Sequence, residues 1–367
     1  MEKNENASNF IKRFFLTAAL LLILCAATVI LFDPFYHYHK PLPGLKAVLS
    51  DKEYQVPGTL DHFDYDAVIA GSSVAENNNN RWYDEAFGCR SVKAIRSYGA
   101  TADLCYYLDR AFEKHTLRYV FFNLDPSSLV ADPEGTTFES VGAPMFLYDK
   151  NPANDVKYLW NKAVLFEKIP YLLANSYIGD YDEGASYNWA QWKSFDEDTA
   201  LYHYIQSPVT AEMKPSDTYL ELCRANTALL TDRIASHPET EFYIFVPPYS
   251  VLWWDSLYRD GDTDAYLEME YQAFSELIRY DNVHLYNFQN ANDISTDLKN
   301  YTDSLHFSPE INRLLCGYMK DGKYELKSVS DIEASLRELE ELGRTASGYV
   351  ERTYKDRIKV AVVSEDE

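Results

Sequence analysis

Hydrophobic and polar positions divide this chain very unevenly. A polar opening gives way to one long uncharged apolar run, Phe14–Phe32 (FFLTAALLLILCAATVILF), directly behind the basic pair Lys12 and Arg13. A helix needs roughly 20 apolar residues to cross the hydrocarbon core, because each adds about 1.5 Å and every backbone polar group must be bonded internally. This run meets that length and no other stretch does, so the pattern predicts one membrane-spanning helix over 14–32. Cationic side chains resist translocation. Lys3, Lys12 and Arg13 therefore predict a cytoplasmic N-terminus (1–13), a single pass through the cell membrane, and an extracytoplasmic body. A cleaved signal peptide has a shorter apolar core, about 7 to 15 residues, followed by small residues. Here Asp33-Pro34-Phe35-Tyr36 follows, and Leu24 stands before Cys25 where lipid attachment would need a small residue.

Beyond the anchor the pattern changes period. Residues 33–58, with Pro41, Pro43 and Pro57, read as a juxtamembrane linker; as a flexible chain of roughly 25 residues it would hold the body within about 25 to 30 Å of the bilayer. Five short β-like runs then end at turn or polar residues: Ala67–Ala70, Val92–Ile95, Tyr119–Leu124, Phe242–Val246 and Val283–Phe288. Helical candidates lie between them, notably Ala102–His115 and Tyr219–Ala235, with apolar residues three and four apart. Strands alternating with helices predict an α/β domain over 59–325 with a central parallel sheet of about five strands. The long stretch between the third and fourth runs exceeds an ordinary connection. It predicts an insertion, about 133–215, forming a lid or subdomain. The remainder, 326–367, reads as a solvated charged helix, Asp331–Gly343, with i,i+4 partners, followed by a disordered Ser-Glu-Asp-Glu tail.

Composition narrows the partners. The net charge of −23 argues against nucleic acid or an anionic membrane surface, since both reward clustered Lys and Arg. Aromatic residues make up 15% of the chain, with 30 tyrosines, and many fall between Tyr148 and Tyr204. Such rings suit ordinary packing as well as interfaces and sugar stacking. Cys89, Cys105, Cys223 and Cys316 lack paired metal-ligand spacing, while an exported location allows one disulfide among them. His37 and His39 have no third ligand beside them for a metal. Asp260-Gly261-Asp262-Thr263-Asp264 imitates the start of a calcium loop but has Ala265 and Tyr271 where glycine and glutamate are required.

Two places could carry chemistry. In open α/β sheets functional groups gather beyond the carboxyl ends of the strands. Ser73 follows the first strand through Gly71. Far downstream, Asp303 and His306 stand three residues apart just before Ser308-Pro309, an N-cap and first-turn pair. An imidazole takes the proton of a serine hydroxyl when a carboxylate fixes its tautomer. Spacing alone does not single the pair out, because Asp281 and His284 share it. His284, however, lies inside the alternating run VHLYNF, whereas His306 lies beyond the last strand. Ser72, Ser127 and Ser128 also follow strand ends and read as turn or cap serines.

These residues resemble the SGNH or GDSL-type esterases and acyltransferases over roughly residues 65–318. Gly71-Ser72-Ser73-Val74 is similar to the family's Gly-Asp-Ser-Leu block, and Asp303-Ser304-Leu305-His306 to its Asp-x-x-His block. The resemblance implies a flavodoxin-like three-layer sandwich around the parallel sheet, with Ser73 as nucleophile, His306 as acid and base, and Asp303 as its orienter. Gly99 resembles the glycine that, with the Ser73 amide, lines the oxyanion hole. The chain departs from the family at Phe122-Asn123-Leu124-Asp125, where Gly-x-Asn-Asp is expected. The third donor is thus missing, supplied by Asn123, or replaced near Asp125.

Membrane-anchored bacterial relatives, such as those serving teichoic-acid D-alanyl transfer or alginate acetylation, modify envelope polymers. They imply an esterase or O-acyltransferase acting on acyl esters, acetyl above all, of an envelope polysaccharide or acylated glycan. They also imply no cofactor or metal, and a membrane-bound O-acyltransferase as partner. The alternative is a catalytically inactive glycan-binding or assembly protein on the same fold.

Overall fold

The computed structural model describes residues 2–210 and 212–361, with side chains described from Ala7 onward; the Lys3 side chain and the tail 364–367 lie outside the described residues. The chain divides into two compact units. One holds the N-terminal residues through Phe63 together with Glu139–Glu183; the other holds Asp64–Phe138 and Gly184 to the C-terminus.

The second unit contains the sheet. Its strands are β1 (Ala67–Gly71), β2 (Ser91–Ile95), β3 (Tyr119–Asn123), β5 (Glu241–Val246), β6 (Val283–Asn287) and β7 (Glu325–Leu326), in the order β2-β1-β3-β5-β6-β7. Every pairing is parallel except β6 with β7. The strands form where near-continuous apolar runs can be covered on both faces, which is what a parallel sheet requires: all five residues of β1 are buried, as are Val120, Phe121 and Phe122 of β3. A separate two-stranded parallel pair joins β4 (Ile205–Gln206) to β8 (Lys359–Val360). The five strands read from the sequence are all present, each within a residue at either end. The sixth strand of the sheet, β7, has two residues and is too short to carry a pattern.

Helices Thr101–Lys114 and Leu220–Ser236 match the pattern read for them within a residue. The C-terminal helix does not. It runs Val329–Tyr354, about twice the expected length, and is not solvated all round: Ile332, Leu336, Leu339, Gly343, Ala346, Val350 and Tyr354 are buried at three- and four-residue steps. That stripe packs on helices Val251–Arg259 and Thr263–Leu277. The contact is reinforced by buried Arg259, which bonds Asp255 (2.7 Å), Ser347 (3.0 Å) and Glu351 (2.6 Å). The charged residues that suggested a solvated helix occupy its other face.

The first unit also corrects the domain layout. Helix Glu2–Phe32 includes a segment, Ala7–Phe32, long and apolar enough to cross a membrane. The expected linker 33–58 is folded instead: helix Lys52–His62 buries Gln55 through Leu60, and a Cβ on Gly58 would collide with the carbonyls of Phe35 and Tyr36. Asp33 closes the N-terminal helix by accepting from the amides of His37 (3.0 Å), Tyr38 (2.7 Å) and His39 (3.0 Å), and from the Tyr158 hydroxyl (2.7 Å). The expected insertion 133–215 is split as well, since Glu139–Glu183 belongs to this unit and the residues from Gly184 belong to the other. Polar side chains satisfied locally, such as Gln55 bonding Ser50, Asp51, Pro34 and Val48, hold the segment without a long apolar run. The cysteines are all free, with Cys89, Cys105, Cys223 and Cys316 buried.

Candidate active site

Strand β1 ends at Gly71, and only glycine fits there. A Cβ would stand 2.7 Å from both Ala75 Cβ and Asn123 Cβ. The chain then turns at once, with Ala75 N–H donating to Ser72 O (3.0 Å) and Glu76 N–H to Ser73 O (3.4 Å). Ser73 sits on this turn with its side chain half-exposed, while Ser72 is buried.

The loop after β6 is built as tightly. Tyr301 and Phe307 form a bridge, Thr302 N–H donates to His306 O (3.0 Å), and Ser250 donates from its amide (3.1 Å) and hydroxyl (2.9 Å) to Ser304 O. Asp303 Oδ1 accepts from the amides of Leu305 and His306, both at 2.8 Å. Its Oδ2 lies 2.8 Å from His306 Nδ1, and His306 Nε2 lies 2.8 Å from Ser73 Oγ. The three residues read from the sequence thus form one hydrogen-bonded chain. Burial tends to raise the Asp303 pKa, but the His306 bond and charge and the two amides outweigh it and hold the carboxyl below its ordinary value. An ionised carboxylate only accepts, so Nδ1 carries the proton and Nε2 is left to receive the Ser73 hydroxyl proton.

The control pair behaves differently. His284 lies in β6 and bonds Glu241 (3.0 Å) and Glu325 (3.2 Å), not Asp281. Ser308 takes the N-cap position of helix Pro309–Asp321, although its side chain makes no capping bond.

Around Ser73 the oxyanion donors differ from the sequence reading. The Gly99 N–H donates to Arg96 O at 2.9 Å, closing a turn in which the exposed Tyr98 has a positive φ of 55°. Gly99 is therefore not a free donor in this conformation. Its glycine is required for a different reason: a Cβ would lie 2.8 Å from Arg96 O. Among the described residues the Ser73 N–H has no acceptor. Asn123 is buried against Gly71, and neither the nitrogen nor the oxygen of its amide has a partner of good geometry, although it stands near enough to Asp125 to favour that carboxylate. Two unspent donors, the Ser73 amide and Asn123 Nδ2, thus flank the turn.

Two neighbours, Trp189 and Lys93, carried no sequence signal of their own. Trp189 donates from its indole to Ser73 O (3.0 Å), and its ring meets His306 edge to face at 5.1 Å. It was one aromatic among many in the Tyr- and Trp-rich stretch. Its segment is held by Ala190 N–H on Asn77 Oδ1 (3.1 Å) and by buried Lys93, which donates to Glu76 O (2.7 Å) and Ser186 O (2.5 Å). Asp125 is buried; burial raises its pKa, against hydrogen bonds from Ser72 and Tyr249 and the nearness of the Asn123 amide. Ser72 is thereby committed to Asp125, which separates it from Ser73. Ser128 caps its own turn on Asp125 O (2.7 Å). In the other unit, His37 faces Asp155 (3.2 Å), while the His39 ring faces Lys40 O (2.6 Å) and Ile30 O (2.7 Å).

No family model matches the sequence, and no curated protein matches it. Among solved structures, one from Streptococcus pneumonia named for platelet activating factor is similar over 74% of this chain and 91% of that chain. The identity is 13% and the TM-score 0.37. A likeness that loose carries no argument about architecture or activity.

Proposed function

We propose that this chain is a membrane-anchored extracytoplasmic serine esterase or O-acyltransferase of SGNH/GDSL type. The observation that carries the reading is the relay Ser73 Oγ, His306 Nε2, His306 Nδ1, Asp303 Oδ2, with 2.8 Å at each contact. The strand order supports it too: its five parallel strands follow the flavodoxin-like sequence, and Ser73, just past the carboxyl end of β1, and Asn123, the last residue of β3, stand where that order reverses.

In this mechanism Ser73 gives its proton to His306 Nε2 as Oγ attacks the acyl carbonyl carbon. The resulting oxyanion is received by the Ser73 amide and Asn123 Nδ2. His306 returns the proton to the departing alkoxide, leaving an acyl ester on Ser73. Water or an acceptor hydroxyl then attacks that ester, with His306 again taking and returning the proton. Asp303 remains ionised throughout and stabilises the imidazolium. Acyl, above all acetyl, esters of an envelope polysaccharide as substrate, and a membrane-bound O-acyltransferase as partner, rest on the sequence resemblance alone.

The committed Gly99 amide and the absent Gly-x-Asn-Asp block favour a second reading, a non-catalytic glycan-binding or assembly protein. One experiment separates the two and also tests the topology. A charged, membrane-impermeant fluorophosphonate is added to spheroplasts expressing the full chain. Labelling of the wild type that disappears in Ser73→Ala, with parallel loss of p-nitrophenyl acetate cleavage in His306→Ala, is the expected result. Absence of labelling in a folded chain, both in spheroplasts and after detergent solubilisation, would favour the binding protein; labelling only after solubilisation would reverse the orientation.

A further inference from the structure

Within the first unit, the segment Val156–Ile178 presents its apolar residues in the wrong direction for a protein in water. Helix Ile169–Tyr177 buries Ile169 and Leu172, as a packed helix should. The opposite side of this helix and its two flanks is equally apolar: Phe166, Pro170, Tyr171, Ala174, Tyr177 and Ile178 are exposed, with Phe166 at 78%, Tyr177 at 71% and Ile178 at 89%. Water-soluble surfaces rarely expose a contiguous apolar patch above a few hundred Å². Something apolar covers this stripe.

The neighbouring element says what. Val156–Leu159 and Val164–Lys168 pack on the long N-terminal helix, and Trp160 Nε1 donates to Leu22 O at 2.9 Å. Leu22 lies ten residues before Phe32, the last residue of that helix, or about 15 Å along its axis at 1.5 Å per residue. A helix that needs roughly 20 apolar residues to span the core has no such length to spare outside it. The segment therefore runs down beside the span rather than standing above it. Its apolar stripe continues the exposed apolar surface of the helix, where Leu20–Leu24, Ile30 and Leu31 are also uncovered.

From these observations we infer that Val156–Ile178 is a second membrane-contacting element, half-immersed in the leaflet at the C-terminal end of the anchor helix. Its occupant is the acyl-chain and headgroup boundary of the bilayer. Lys157, Lys162 and Glu167 are the exposed charged residues on the segment; the lysine stems reach outward to the headgroups, and Glu167 limits the depth. Attraction is apolar rather than electrostatic. The inference rests on the helix spanning the membrane, and the test separates the two claims.

The full chain, with its five cysteines replaced, receives single environment-sensitive labels at Leu20→Cys, Phe166→Cys, Ile178→Cys and Asn151→Cys, and is reconstituted in phosphatidylcholine vesicles carrying doxyl-labelled lipid. The expected result is quenching at Phe166 and Ile178 within about twofold of that at Leu20, with Asn151 unquenched. In the chain with native cysteines, brominated lipid quenches tryptophan emission, and Trp160→Phe removes most of that quenching. Phe166 and Ile178 labels that behave like Asn151 while Leu20 is quenched overturn the inference and leave the span intact. An unquenched Leu20 overturns both. A blue-shifted, lipid-insensitive signal that grows with protein-to-lipid ratio assigns the stripe to a second copy and also overturns it.

Discussion

Asn123 is the residue whose energetics and proposed role pull in opposite directions. A buried amide with neither atom paired costs about 1 to 3 kcal/mol relative to a satisfied one, yet an unspent donor beside a nucleophile is what an oxyanion needs. Asn123→Ala is therefore expected to lower kcat by about 100- to 1,000-fold, with KM little changed. Its thermal unfolding midpoint should hold or rise. Steady-state kinetics and a melting curve on the same preparation check both; a clear fall in stability with kcat intact would give the amide a structural bond instead. The residue scale also shows what a sequence can reveal about a site. Ser73, Asp303 and His306 were legible because each belongs to a short motif with its own turn chemistry. The same legibility stops short at Gly99: a motif names the glycine but not where its N–H points, and here it points at Arg96. Trp189 was not legible, because its contact with Ser73 spans 116 positions of chain and no local spacing encodes it.

At the scale of elements, apolar runs bounded by turn residues located the parallel strands, since a strand buried on both faces must be apolar along its length. The C-terminal helix is longer and more buried than its charges suggest, because its apolar stripe from Ile332 to Tyr354 is interleaved with charged residues that dominate its composition. The folded linker escaped because Gln55, Gly58 and Asp33 do its packing through hydrogen bonds and close backbone approach. A pair of glycines tests the helix packing. Gly317, in helix Pro309–Asp321, has nothing within 4 Å of a built Cβ, so Gly317→Ala should stabilise by about 0.5 to 1 kcal/mol through helix propensity. Gly343 offers the same gain, but its Cβ would stand 2.7 Å from Thr263 Cγ2, a short stiff side chain that cannot swing away. Gly343→Ala should destabilise by about 1 to 3 kcal/mol despite its better propensity. Denaturant titrations of the two variants should shift in opposite directions, and a Gly343→Ala chain as stable as Gly317→Ala would mean the helices are not in close contact.

At the scale of the whole molecule, two independent features make stability fall as pH rises. The sequence carries a net charge of −23, so ionisation of further groups adds self-repulsion to the compact state. Buried Glu270 contributes separately. It accepts one hydrogen bond, from Gln289 (2.6 Å), its other oxygen is unpartnered, and burial pushes its pKa up from 4.5 to about 8. Its titratable neighbours Tyr249, Tyr266 and Cys223 are themselves raised by burial and stay neutral, so none of them supplies a compensating charge. With the folded pKa above the unfolded one, the native chain holds a proton that the unfolded chain has released. Glu270 therefore contributes its full stability below about pH 4.5, loses it at about 1.4 kcal/mol per pH unit up to about pH 8, and changes nothing above. The two causes separate by salt and by substitution. Self-repulsion at the surface is screened at 0.15 M salt, where the Debye length is about 8 Å, while burial of Glu270 is not. Thermal unfolding of the detergent-solubilised chain should thus keep a downward slope from pH 5 to pH 8 at high salt. Glu270→Gln should flatten that slope, leaving the variant close to wild type at pH 5 and clearly more stable at pH 8. A slope that vanishes with salt in the wild type would assign the pH dependence to surface charge alone, and one that persists at high salt unchanged in Glu270→Gln would place it on another buried group.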